Sequence, residues 1–203
     1  MHHHYHHGPD DGSVVIRHAT RKDVADTAAL IGVAFAEFRG LAPDDLVERY
    51  IQASMTIDLS LNDRAVFVAE RKGHIVGTVT FYSDASLTGL DLPREWASFR
   101  TLAVHPAARR QGIANKLVAL CITLASRHSP TLAIHTAEIM TSARRLYTRL
   151  GFERSPEHDH LASDLFGTDT SAGDVLVMGY RLELPANVTL EAANHSPVLL
   201  GQR

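Results

Sequence analysis

One stretch constrains the fold of this chain more than any other. Phe99 to Val104 is a short apolar run of strand character, His105 to Gly112 is a turn carrying Pro106, Arg109 and Arg110, and Ile113 opens a long apolar run extending to Ala125. A strand that turns directly into a helix presents the helix's first backbone N–H groups, which lack intrahelical acceptors, at the mouth of the turn. The macrodipole adds partial positive charge there. Anions bind at such ends. Gly112 removes a side chain where an anion must approach the backbone, Ala114 stays small for the same reason, and Arg109 and Arg110 add full charges at the rim. The arrangement suits a pyrophosphate. On these residues alone an ordinary strand-to-helix turn with solvated arginines fits as well, because short glycine motifs are weak by themselves.

The flanking sequence separates the two readings. Arg109-Arg110-Gln111-Gly112-Ile113-Ala114 follows Arg100-Thr101-Leu102-Ala103-Val104-His105-Pro106, and further on stands Ala143-Arg144-Arg145-Leu146-Tyr147-Thr148-Arg149-Leu150-Gly151-Phe152. In this order the segments resemble the GCN5-related N-acetyltransferase (GNAT) superfamily. Its acetyl-CoA loop reads Arg/Gln-x-x-Gly-x-Gly/Ala after a strand ending in Val-x-Pro, and its later motif reads Ala-x-x-x-Tyr-x-x-x-Gly-Phe. The resemblance spans Val14 to Leu184. It implies an α+β (α/β) fold with a mixed central sheet of about six or seven strands, about four flanking helices, and splayed fourth and fifth strands.

It also implies acetyl-CoA as cosubstrate. Leu102, Ala103 and Val104 would lie along the pantetheine arm, and Arg109, Arg110, Gln111, Gly112, Ile113 and Ala114 around the pyrophosphate. The expected reaction is acetyl transfer to a primary amine of a small molecule or peptide, by direct attack in a ternary complex. Tyr147 holds the place of the family's proton donor to the departing thiolate, a role that suits a phenol. Without the surrounding motif it reads as a core aromatic.

The general base departs from the family pattern. Ser98 stands where many members carry Glu; it could order a water, or the base could be Glu95, Glu37 or His135. Alternatively, no side-chain base is needed if the acceptor enters as the free amine. Met140 replaces an Asn common in the family. These departures keep a second reading open, that of a catalytically silent acyl-CoA-binding regulatory or interaction module. A third, chemistry on nucleic acid, is disfavoured by charge.

Met1 to Ser13 reads as an expression tag and linker, with a Tyr inside its histidine run. With its Asp10 and Asp11 set aside, the 23 acidic residues fall to 21, against 20 basic ones. That balance argues against nonspecific nucleic-acid binding and against a polybasic membrane contact. A hydrophobic content of 45% supports one domain, expected at residues 14–184, with residues 185–203 as a loosely attached tail. The single Cys121 permits no internal disulfide and fits a reducing, cytoplasmic setting. His158-Asp159-His160 offers imidazoles beside a carboxylate but no fourth partner, so no metal is expected. Homodimers are common in the family, and nothing in the sequence decides for or against one.

The remaining pattern predicts a strand at 14–17, a helix capped by Thr20, and a second helix starting near Pro43. A hairpin is expected across Arg71 to His74, a strand at 131–135 parallel to 99–104, and a helix from Ile139 to Leu150 ended by Gly151. Arg154 to Gly173, about twenty polar residues without periodicity, reads as a functional lid over the acceptor or a disordered loop. A last strand falls within Asp174 to Leu184.

Overall fold

The computed structural model describes residues 12–60, 64–169 and 171–185. Most of the expected tag, and all of the expected tail beyond Pro185, lie outside the described residues. Strands β1 (Val15–His18), β2 (Arg64–Arg71), β3 (His74–Tyr82), β4 (Ala97–Val104), β5 (Thr131–Ala137), β6 (Glu153–Arg154), β7 (His160–Leu161) and β8 (Leu176–Glu183) form one mixed sheet. Its order is β1-β2-β3-β4-β5-β8-β6, with β7 also on β8. Helices α1 (Val24–Phe35), α2 (Asp44–Met55), α3 (Ile113–Ala125), α4 (Thr141–Arg149) and α5 (Ala162–Phe166), with five short 3-10 turns, complete the described elements.

Local chemistry explains the joints. The Thr20 N–H donates to the Asp23 carboxylate at 2.7 Å ahead of α1, and Arg17 braces that carboxylate at 2.7 Å. Lys72 and Gly73 both have positive φ (50° and 77°), a turn whose twist matches that of the β2–β3 hairpin. Gly151, at φ 89°, ends the α4 turn as the sequence predicts, whereas α4 starts at Thr141 rather than Ile139, with Met140 in a non-helical conformation.

The sheet has a packed layer on each face. One core joins Phe99, Leu132 and Val79 to Leu117, Val118 and Cys121 of α3 and to Tyr147 of α4. The other joins Leu30 and Ile31 of α1 and Ile51 of α2 to Ala103 of β4. Burial pushes the Cys121 thiol up to about 12, so it fills space rather than reacts. A Cβ on Gly77 of β3 would stand 2.9 Å from Ile113 Cγ2 and 3.2 Å from Leu117 Cδ1, so glycine there lets the first turn of α3 lie directly on the sheet. The sequence pattern gives no hint of that approach.

Two irregularities in β4 position everything that follows. Thr101 takes a positive φ of 54°, and the β3–β4 register jumps from Thr78↔Ala103 to Thr80↔Arg100, so one extra residue bulges on β4. In a regular strand Phe99 and Ala103 would share a face. The bulge sends them to opposite cores, and Arg100 and Ala103 both project towards α1 and α2. The second irregularity is that the parallel pairing of β4 with β5 covers Ala97↔Leu132 and Ser98↔Ala133 and goes no further. Beyond Ser98 the two strands part.

Candidate active site

The turn before α3 has the geometry of an anion cradle. Arg110 and Gly112 both take left-handed backbone (φ 64° and 77°), which curls the chain tightly into the helix. The first intrahelical bond at this end runs from the Lys116 N–H to the Gly112 carbonyl at 3.0 Å, so the amides ahead of Lys116 in the first turn are left for an outside acceptor. A Cβ on Gly112 would meet nothing within 4 Å; the space in front of the turn is open. Arg110, Gln111 and Gly112 are exposed, while Ile113 is buried under the turn.

Arg109 differs from the rim cation that its sequence position suggests. Its guanidinium turns to the end of α1, bonding Glu37 Oε2 at 2.6 Å, the Ala34 carbonyl at 3.0 Å and the Val104 carbonyl at 3.3 Å. The carbonyls at the C-terminal end of a helix attract a cation, and Glu37 adds a full countercharge. Arg109 therefore clamps the strand end to α1 and leaves the turn to its backbone amides and Arg110. His105 is structural as well, its Nδ1 accepting from the Ala107 N–H at 3.3 Å.

Where β4 and β5 part, a cavity of about 90 Å³ opens on the α1–α2 side. Phe38, Leu46, Val47 and Tyr50 wall one flank, Ala162, Leu165 and Phe166 of α5 another, and Arg100, Thr101, His135 and Thr136 come from the parted strands. The segment after Arg154, featureless in sequence, thus supplies a wall. Arg154 forks onto Asp159 at 2.7 and 2.9 Å, and Asp159 also accepts the Gly179 N–H at 2.8 Å. The same contacts occupy Asp159, and His160 Nε2 bonds the Leu90 carbonyl at 3.1 Å.

Among the side chains the sequence offers as base, the structure brings His135 to the cavity. Glu95 is exposed ahead of β4, and Glu37 is held by Arg109. Ser98 is 1% exposed in the paired part of β4 and does not line the cavity. His135 Nε2 lies 2.7 Å from the His158 carbonyl, which can only accept, so this nitrogen carries the proton. Nδ1 is then a bare lone pair, buried and without a partner among the described residues. Burial, with the like charges of His160, His158 and Arg100, lowers the His135 pKa to about 4 against the pull of the His158 carbonyl.

That shift has a measurable consequence for stability. Between pH 6.5 and about 4 the unfolded chain binds a proton at His135 that the folded chain refuses, so stability is full above pH 6.5 and erodes as pH falls. The loss approaches about 3 kcal/mol as an upper bound. Urea unfolding of His135→Gln at pH 7, 5.5 and 4.5 should show a shallower acid slope than the parent; parallel slopes would contradict it.

Tyr147 is 3% exposed and sits among Phe99 (ring centroids 5.8 Å), Phe152 (5.7 Å) and Tyr180 (6.4 Å). Burial holds its phenol far above the ordinary value near 10, and it senses Tyr50, a cavity residue, and Cys121 of α3. The phenol is a proton donor throughout the neutral range.

The model of the acetyltransferase (GNAT) family matches residues 28–152, more than half of the chain. The chain belongs to this family. Solved structures agree with the GNAT fold. PaiA N-acetyltransferase from Thermoplasma acidophilum, in complex with coenzyme A, is 12% identical and covers 84% of this chain and 99% of its own at a TM-score of 0.63. YncA from Salmonella typhimurium, with its cofactor acetyl-CoA, is 21% identical over 89% of this chain and 99% of its own, at 0.59. An N-acetyltransferase from Staphylococcus aureus is 19% identical over 85% and 99%, also at 0.59. No curated protein matches the sequence. Among the described residues of this GNAT acetyltransferase, no helix is long and apolar enough to cross a membrane.

Sequence reasoning missed three features of the site: the bulge at Thr101, the short helix α5 inside the segment read as a lid or a disordered loop, and Arg100 as a cavity residue. For the last a signal existed, since Arg100 is a full charge inside an otherwise apolar strand.

Proposed function

We propose that residues 14–184 form an acetyl-CoA-dependent N-acetyltransferase domain, active in a cytoplasmic setting on a small amine by direct attack in a ternary complex. The observation that carries this reading is the parting of β4 from β5 after Ser98. It leaves the edge of β4 open between the anion turn at one end and the cavity at the other.

The open space before Gly112 and the amides of the first α3 turn, from Ile113 and Ala114 onward, fit a pyrophosphate. Leu102 to Val104, on the unpaired edge, offer backbone groups to the pantetheine arm, and the thioester supplies the acyl group. His135 Nδ1 accepts an N–H of the incoming amine and aims its lone pair. With a pKa near 4 it orients the amine rather than storing its proton, so the acceptor enters as the free amine. Tyr147 gives its proton to the departing thiolate. As the C–N bond forms and the C–S bond breaks, the nitrogen releases one proton to water and Tyr147 regains one from water, so the transfer is proton-neutral overall.

The test is acetyl-CoA-dependent release of free CoA across amino acids, polyamines, aminoglycosides, arylamines and short peptides, with tag-free protein. Release well above spontaneous hydrolysis supports an enzyme. Tight acetyl-CoA binding without release from any amine would establish the silent acyl-CoA-binding module instead.

A further inference from the structure

The geometry points to an amino acid with an apolar side chain as the acceptor, its carboxylate held by Arg100. This rests on the acetyltransferase reading above and narrows it to one substrate class.

The cavity's charge comes first. Among the described residues no Asp or Glu lines it. A polyamine or an aminoglycoside brings several positive charges, and burying them in an apolar cavity without carboxylates is costly. The charged side chain that does line it is Arg100, since His135 is neutral at physiological pH. Arg100 reaches the cavity because the bulge at Thr101 sets the faces of β4, and it is half-buried. One of its five N–H donors is spent, Nη1 on the Thr88 carbonyl at 2.8 Å. Among the described residues no carboxylate pairs with it, unlike Arg17, Arg39, Arg109 and Arg154, each of which has an acidic partner. A guanidinium with an unspent fork inside an apolar cavity is matched by a carboxylate brought by the ligand.

The second observation lies across the gap. Among the described residues, His135 Nδ1 is a buried acceptor without a partner. Donor and acceptor groups left open on facing strands suit one small molecule with an anionic and an N–H-bearing end. His135 and Arg100 line the same small cavity, so one ligand carrying an amine and a carboxylate can reach both. The rest of the wall, Phe38, Leu46, Leu165 and Phe166, takes an apolar side chain. A cavity of about 90 Å³ holds about six to nine water-sized groups, the scale of leucine rather than of a peptide.

The experiment compares kcat/KM for L-leucine, L-leucinamide, isoamylamine and spermidine in the CoA-release assay, with acetyl-CoA binding followed separately by calorimetry. L-leucine should exceed both leucinamide and isoamylamine at least tenfold, and spermidine by more. In Arg100→Gln the leucine-to-isoamylamine ratio should fall at least tenfold, and Arg100→Lys, which keeps the charge but loses the fork, should recover part of it. Equal rates for leucine and leucinamide, or a spermidine preference, would overturn the amino-acid proposal and leave the acetyltransferase reading standing. Acetyl-CoA binding with no turnover of any of the four would overturn the proposal too, and the broader amine panel would then decide the enzyme reading. The wild-type comparison needs no variant, so a misfolded Arg100→Gln would not shield the proposal.

Discussion

Replacing Gly112 with valine is expected to raise the acetyl-CoA KM at least about 50-fold while the protein stays folded. Gly112 holds φ 77° at the head of α3, and a left-handed conformation costs a non-glycine residue about 1–2 kcal/mol, more when the side chain is β-branched. The turn then has two options, and both damage the anion site. If the backbone keeps its shape, the valine methyls fill the open space through which a phosphate reaches the amides. If it relaxes, the amides of Ile113 and Ala114 swing away. Losing one charge-assisted hydrogen bond costs about 1.5–3 kcal/mol, and each 1.4 kcal/mol is a factor of ten in affinity. Because that space is open and the turn exposed, the substitution meets no packed neighbour, so the stability loss is confined to the backbone cost and the melting temperature should fall by only a few degrees, about 2–4 °C per kcal/mol. Calorimetric titration with acetyl-CoA checks the binding loss directly. Unchanged affinity would remove the phosphate role from this turn.

The same turn shows how much the sequence discloses. Gly112, Ile113 and the apolar repeat of α3 made the strand–turn–helix legible, because each residue acts through its own backbone or its own face. Arg109 was legible as a residue and not as a role: its charge is settled by Glu37 and Ala34, more than seventy positions away in the chain. The β4 bulge leaves no local mark, since Thr101 is no natural left-handed residue and is forced there by the β3 pairing of Arg100 before it and Ala103 after it. Yet it decides that Arg100 faces the cavity. The segment after Arg154 lacked periodicity because β6 and β7 have two residues each and α5 has five, lengths too short for any repeat to emerge. What orders it is a local fork of Arg154 on Asp159 and a non-local bond from the Gly179 N–H of β8 to the same carboxylate. Pairwise chemistry between distant segments placed the base candidates too. Ser98 alone holds the family's base position in the sequence, with Glu95, Glu37 and His135 placed only roughly, and burial with the His158 carbonyl sets His135 apart.

Tyr147→Phe should lower kcat at least tenfold and leave the acetyl-CoA KM and the melting temperature nearly unchanged. The ring is packed by Phe99, Phe152 and Tyr180, contacts that phenylalanine keeps, so the experiment removes one hydroxyl and little else. General acid catalysis contributes about 10²–10⁴-fold in favourable cases. A thiolate is a good leaving group, its thiol having a pKa near 8.5, so the demand for a proton is modest and the lower end is expected. The pH profile separates proton donation from a packing effect. Burial keeps the phenol protonated well past pH 10, so the parent enzyme should show no alkaline fall due to this group. In the phenylalanine variant the proton must come from water, and kcat should regain part of its loss as pH is lowered. A leaving group activated by a thiol of lower pKa than CoA would narrow the gap between parent and variant further, because it needs the proton less. Equal kcat in both proteins, or a loss independent of pH and leaving group, would take Tyr147 out of the proton path and leave it as the core aromatic that its three ring neighbours already make it.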